Sequence, residues 1–326
     1  MTSKGPVTIA LDTMSGAQSS THAIRAAAKL SMKPDAPEIL LLGNEHEIGS
    51  TLDGIRHDAE NLAIFHTQAA DSALSKACTL VKEARADALV SAAPLEQLKE
   101  VCAQTLTIIP SVQKQALGAV FPTEMRRGEK ADPFSLILDI GFETNACAQD
   151  LVNYGVMGAV YAQVISQNNK PKVALLANHP NLKQAPEQVQ EAASMLKAHA
   201  GINFIGLLEP IELPLGKADV IVCDGFVGNM ALKLLENSGS ILKRLITYAH
   251  RQKALAKVGL MMLGPALHNI KSFMDWQEYG GAPLLGYEQL CIKLAVNASE
   301  QAHYNALKVT QKAIASDFLK TCKEAL

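Results

Sequence analysis

Short runs of consecutive apolar residues recur along the chain, and the stretches between them carry apolar positions three or four apart. Residues 7–11 run to Asp12, 39–42 to Gly43, 135–138 to Asp139 and 220–223 to Asp224, while 88–90 and 173–176 complete the set. Runs of three to five residues that are apolar almost throughout, rather than alternation, are the pattern of strands covered on both faces. Leu74, Cys78 and Val81 keep the spacing of a helix that lies on such a sheet. The pattern predicts an α/β fold: a doubly wound, mostly parallel sheet with helices on both faces.

The last third reads differently. From 230 to 248 the residues Leu232, Leu235, Ile241, Leu242 and Leu245 hold roughly helical spacing, a second helical stretch covers 252–274 with a break at Gly264-Pro265, and a last one runs from about 299 to 319. No Pro/Gly/Ser-rich linker sets this part off, so residues 1–326 read as one domain with a helical extension at about 230–275. The extension contains the longest apolar run, 258–267, with Arg251, Lys253, Lys257 and Lys271 around it. A basic margin beside an apolar tip fits contact with a membrane surface; it fits equally a helical bundle at a dimer interface.

Charge and cysteine usage narrow the class. With 30 Lys+Arg against 32 Asp+Glu the formal net charge is −2, and no basic run offers a footprint for nucleic acid. The 6 cysteines are scattered without a CxxC pair, the usage of free thiols in a reducing cytoplasm. No window reaches the roughly 18 apolar residues of a membrane span, and no secretory signal precedes the first strand, so a cytoplasmic protein is expected. The histidines form no HExxH pair, and GxSxG, Walker A and GxGxxG signatures are missing. No metal or cofactor is expected.

Candidate chemistry lies at strand ends, where open α/β sheets bind ligands. Asp12-Thr13-Met14-Ser15-Gly16, Asp139-Ile140-Gly141 and Asp224-Gly225-Phe226-Val227-Gly228-Asn229 all follow apolar strands. The third is the sharpest, because a helix starts directly after its two glycines. Glycines admit a ligand close to the backbone, helix-start N–H groups attract anions, and Asn229 adds a side-chain donor. An Asn/Gly helix cap that binds nothing is the competing explanation. A second stretch, Tyr279-Gly280-Gly281-Ala282-Pro283-Leu284-Leu285-Gly286, sets apolar residues around its glycines. It reads as a buried core turn or as the lining of a pocket for an apolar chain.

Together with Ile9-Ala10-Leu11-Asp12, Val173-Ala174-Leu175-Leu176, Ile202-Asn203-Phe204-Ile205-Gly206 and Met157-Gly158-Ala159-Val160-Tyr161, these segments resemble the PlsX family over nearly the whole chain. That family comprises bacterial phosphate acyltransferases, which make acyl phosphate from acyl-carrier protein and inorganic phosphate. The resemblance implies a three-layer fold like that of isopropylmalate dehydrogenase, a protruding C-terminal helical pair, a homodimer and peripheral membrane contact. It also implies catalytic roles for Asn229, Lys183 and Asp12. Binding of substrate or phosphate then falls to Asp224, Gly225, Phe226, Gly228, Gly280, Gly281 and Ala282.

The loops depart from the family pattern. The second acid of the first loop is missing, and Ser91-Ala92-Ala93-Pro94-Leu95-Glu96-Gln97-Leu98 replaces a loop rich in Gly, Asn and Thr. Gln184 stands where the family has lysine, with Lys183 one position earlier, and Ala295-Val296-Asn297-Ala298 replaces a His-Gly-Ser-Ser turn. The chain is also about ten residues short between His66 and Leu74. Besides acyl transfer to phosphate, the sequence therefore admits a catalytically silent or regulatory relative, and transfer with another donor or acceptor such as coenzyme A.

Overall fold

In the computed structural model, residues 7–17, 19–127, 132–252 and 280–326 are described. The strands are β1 (Thr8–Asp12), β2 (Glu38–Gly43), β3 (Leu62–His66), β4 (Ala88–Ser91), β5 (Ala116–Arg127), β6 (Asp132–Leu138), β7 (Lys172–Leu176), β8 (Asn203–Leu208), β9 (Val220–Val222), β10 (Ala282–Leu285) and β11 (Leu290–Lys293). The helices are α1 (Ser19–Ser31), α2 (Glu45–Asp53), α3 (Ala70–Lys82), α4 (Leu95–Thr105), α5 (Ala148–Ser166), α6 (Glu187–Ala198), α7 (Gly225–Gln252), α8 (Glu300–Ala315) and α9 (Phe318–Ala325).

All strands join one 11-stranded sheet, in the order β3-β2-β1-β4-β11-β10-β5-β6-β9-β7-β8. Pairing is parallel except for three central pairs, β11 with β10, β10 with β5, and β5 with β6. Chain length explains two of these. Only residues 286–289 join β10 to β11, and only 128–131 join β5 to β6, far fewer than a parallel crossover requires. The sheet thus consists of two parallel halves running in opposite directions, and the register through β4, β11, β10 and β5 sets Leu11 level with Leu138, so the carboxyl ends of the two halves meet at one height near the middle of the sheet.

Five of these strands lie outside the apolar-run reading. β5 carries Pro122, Thr123, Glu124 and Arg126, so it lacks the signature of a strand buried on both faces. The stretch read as a turn, 279–286, contains β10, a central strand. The helix expected from residue 230 begins earlier, at Gly225. The apolar run 258–267 and the second helical stretch after residue 252 lie outside the described residues.

Alternate residues of each strand feed different cores. On one face Ile9, Val90, Ile292, Leu138, Val222 and Val173 meet α1, α5, α6, α8 and α9 in a core that crosses the whole sheet. Gly158 belongs to this packing: a Cβ there would stand 2.5 Å from Val220 Cγ1, so α5 lies hard against β9. The opposite face has two separate cores. Ala10, Leu89, Cys291 and Leu284 pack under α3 and α4, whereas Ile137, Ala174 and Ile221 meet Ala231 and Leu235 of α7. The joint between the halves lies between these two helical covers.

Candidate active site

The strands β6, β9 and β7 are parallel neighbours, so the loops after them share one edge. These loops carry Asp139, Asp224 and Lys183. Helix α7 starts directly behind β9, and its first turn rests on the 139–143 turn. The contact is close: a Cβ on Gly228 would stand 1.8 Å from the Asp139 carbonyl oxygen, and one on Gly225 would stand 2.7 Å from that of Glu143. The two glycines therefore admit protein backbone to one another. Head amides are engaged as well: Gly225 N–H donates across this contact to the Glu143 carbonyl at 2.8 Å, while within the helix head Gly228 N–H donates to the Asp224 carbonyl at 2.9 Å and Val227 N–H to Asp224 Oδ1 at 3.0 Å. With these donors engaged, the Asn229 carboxamide is a side-chain group that this loop can turn toward a ligand. It is half-buried, and its Nδ2 lies 2.7 Å from where a Cβ on Gly141 would stand.

Asp139 organises the turn beneath Asn229. Its side chain is 0 % exposed; Oδ1 accepts from Leu117 N–H at 2.9 Å and Phe142 N–H at 3.1 Å, and Oδ2 accepts from Glu143 N–H. Burial pushes its pKa from 3.8 up to about 6, and the backbone hydrogen bonds hold it from rising further. Two cations flank the turn. Lys114 Nζ stands 3.6 Å from Glu143 Oε1, and Lys99 Nζ of α4 stands 5.2 Å from the centroid of the Phe142 ring. Nothing in their sequence spacing marks Lys99 or Lys114, because they reach this turn from the other half of the sheet.

Of the residues singled out from sequence, Asp224, Gly225, Phe226, Gly228 and Asn229 come together here. Lys183 shares the edge, exposed in a short 3₁₀ turn (Leu182–Gln184) whose start is capped by Asn181. Asp12 does not join them. Five inter-strand steps separate β1 from β6, roughly 24 Å at about 4.8 Å each, although the two strands end at the same height. Its carboxylate is engaged locally: Oδ1 accepts from Met14 and Ser15 N–H at 3.0 and 3.1 Å, and Oδ2 from Ser91 Oγ at 2.7 Å. Burial raises its pKa. It ties the β1–α1 loop to the end of β4.

Gly281 and Ala282 line a cavity of about 320 Å³ at the joint of the halves. Its floor is β11, β10 and β5, where Ala282 and Ala119 leave room that larger side chains would fill. Leu232 and Glu236 of α7 form one wall, and Leu294 and Ala295 another. Asn229, Leu232 and Glu236 are spaced i, i+3 and i+7, along one helical face. Lys293 also lines the cavity; its Nζ donates to the Leu294 carbonyl at 3.0 Å, and burial lowers the pKa of the amine. Burial raises that of Glu236. Sequence reading passed over Lys293, although a lysine closing the apolar run Leu290-Cys291-Ile292 is out of pattern there. Gly280 lies beside this cavity, against Val309 of α8.

Among the described residues no group of three or more His, Cys, Asp or Glu is placed to hold a metal ion. The 6 cysteines are free, and 5 of them are buried. His303 is 0 % exposed and accounts for one histidine inside the core.

A family model described as fatty acid synthesis protein matches residues 7–321. A phosphate acyltransferase from Clostridium perfringens (strain SM101) is 30 % identical over 333 residues, which cover 98 % of this chain and 96 % of that protein. One from Heliobacterium modesticaldum is 34 % identical over 332 residues, 97 % of this chain and 96 % of the relative. A phosphotransacetylase structure from Streptococcus pyogenes matches with a TM-score of 0.66 at 17 % identity, over 96 % of this chain and 94 % of that one. That likeness is one of fold.

Proposed function

The chain belongs to the fatty acid synthesis protein family, the PlsX family, and on that premise we propose that it transfers an acyl group from a thioester to inorganic phosphate. The observation that carries this reading is the head of α7, where Asn229 stands over the 139–141 turn and continues along the helix into an apolar cavity. A polar donor at the entrance of an apolar space suits a thioester carbonyl attached to a hydrocarbon chain.

In the reaction, a phosphate oxygen attacks the thioester carbonyl carbon. The new C–O bond forms, the C–S bond breaks, and the thiolate leaves and takes up a proton, giving acyl phosphate and a free thiol. No covalent intermediate with the protein is needed, so positioning and charge stabilisation supply the acceleration. Asn229 Nδ2 stabilises the developing oxyanion. Lys183, exposed on the same edge, supplies the cation for phosphate in place of the neutral Gln184. Asp139 and Asp224 act through the backbone, holding the turn and the helix head on which Asn229 stands.

The acyl donor in this reading is the thioester of acyl-carrier protein, and the working unit is a homodimer. Phe226, Met230 and Leu234, spaced i, i+4 and i+8 along α7, are 61 %, 54 % and 67 % exposed, and such an apolar stripe supports contact with a second copy. No helix among the described residues is long and apolar enough to cross a membrane; peripheral contact through the extension belongs to the same proposal.

The test is incubation of the purified protein with acyl-carrier-protein thioester and phosphate, following thioester loss and acyl phosphate formation. Thioester loss that ignores phosphate would refute transfer to phosphate, and turnover with the coenzyme A thioester alone would replace the donor. A second reading, a silent relative that keeps the scaffold, is favoured by the β4–α4 loop. There Ser91 Oγ is committed to Asp12, and Glu96 adds an exposed negative charge to the first turn of α4. Carrier-protein binding without turnover would select it.

A further inference from the structure

We propose that Lys293 is a self-acylation site: the acyl phosphate made at the head of α7 transfers its acyl group to the Lys293 amine, which lines the neighbouring cavity. The proposal rests on the acyl-transfer reading above, which supplies the reagent, and adds a covalent fate for the product. In this step the Nζ lone pair attacks the acyl carbonyl carbon. The C–N bond forms, the bond from that carbon to the phosphate oxygen breaks, and the departing phosphate takes up the proton released by nitrogen. An amide on Lys293 and inorganic phosphate result.

Three observations carry it. Lys293 stands opposite Ala282 of β10 and Ser91 of β4, so β11 is held on both sides at this position and the side chain enters the cavity from its floor. Leu232, one turn beyond Asn229, lines the same cavity, so an acyl carbonyl held by Asn229 lies beside the space the amine occupies. The amine is also without a charged partner among the described residues: Nζ donates to the Leu294 carbonyl at 3.0 Å, and no carboxylate is paired with it. Glu236 faces the cavity from α7, but burial raises its pKa and so favours its neutral form. Finally, burial lowers the pKa of Lys293 itself. A neutral amine can give one N–H to the Leu294 carbonyl and keep its lone pair for attack, and a lysine whose pKa falls by one gains about tenfold in neutral fraction near pH 7.

Incubation of the full chain with butyryl phosphate, followed by peptide mass spectrometry over time, reads the modification without requiring turnover. Lys293 should be acylated about tenfold faster, or more, than the exposed Lys76 and Lys197. A single butyryl group on the intact chain should therefore accumulate first, and Lys293→Met should abolish that early addition. The urea-unfolded chain should show no preference among its lysines, because the cavity and the burial are gone. Acylation spread evenly over the folded chain, or Lys293 left unmodified while exposed lysines react, would overturn the assignment; both are read on the wild type, whatever the variant does to folding. The thioester assay run alongside keeps the two readings apart. Transfer to phosphate with Lys293 unmodified sinks the self-acylation alone; butyrylation of Lys293 without transfer from the thioester sinks the catalytic reading and, with it, the source of the reagent.

Discussion

Replacing Asp139 by Asn removes one charge and leaves the side chain almost the same size, so it isolates the role of the carboxylate under the catalytic turn. Two effects oppose each other. The charge is fully buried and its pKa is raised to about 6. Neutralising it at pH 8 relieves a penalty of about 3 kcal/mol, from a shift of about two units at about 1.4 kcal/mol each. Against this, three backbone N–H groups converge on the two oxygens. Asparagine can keep Leu117 and Phe142 on Oδ1, at about 1 kcal/mol less for each because the charge assistance is gone. Its Nδ2 would face the Glu143 N–H, so two donors are left without an acceptor, at about 1–3 kcal/mol each.

The hydrogen bonds win. Asp139→Asn should lower stability by about 2–4 kcal/mol at pH 8, a fall on the order of 5 °C in melting temperature for a chain of this size. The pH dependence gives a second check. Because the folded-state pKa is raised, the contribution of this group is fully present below the ordinary value of 3.8 and is lost as pH rises through about 6. The wild type therefore loses about 1.4 kcal/mol from this group between pH 5 and pH 8 that the variant does not. Urea unfolding of both proteins at the two pH values measures it. A variant as stable as wild type at pH 8, or a stability gap no wider at pH 5, would refute the reasoning.

Asn229→Ala should reduce acyl phosphate formation about 10²–10³-fold with stability changed by less than about 1 kcal/mol; a rate within threefold of wild type would remove Asn229 from the site. Gly228→Ala puts a methyl group on the Asp139 carbonyl and must lift the head of α7, so it should destabilise by about 1–3 kcal/mol despite the better helix propensity of alanine, and an unchanged melt would contradict the packing described. Lys183 is exposed, so Lys183→Ala should leave stability within about 0.5 kcal/mol while raising the KM for phosphate; an unaltered KM would exclude it as the phosphate cation. Lys293→Met removes an amine that burial disfavours in its charged form. It should stabilise by up to about 1 kcal/mol at neutral pH, with the advantage fading as pH rises toward the ordinary lysine value of 10.5, and a loss of stability would show that the amine holds its wall.

The sequence by itself determined what depends on local pattern and on residue type. Buried strands covered on both faces had to be continuous apolar runs, so β1, β2, β4, β6, β7 and β9 were legible. The Asp224–Asn229 segment was marked because glycines before a helix start have few uses. The spacing of Leu232 and Leu235 already placed a helix behind it. Tertiary structure decided what depends on the direction of pairing. The short links around β10 and β5 reverse the second half of the sheet, so the carboxyl ends of its two halves face each other across the joint, and five inter-strand steps keep Asp12 apart from the Asp139 turn on which Asn229 stands. The glycines of α7 then meet backbone instead of a ligand, and the donor function passes to a side chain. Lys99, Lys114 and Lys293 enter the joint from elements remote in sequence, where no periodicity could announce them. The cavity itself exists because two helical covers on one face stop short of each other, a property of the assembled layers and of no single segment.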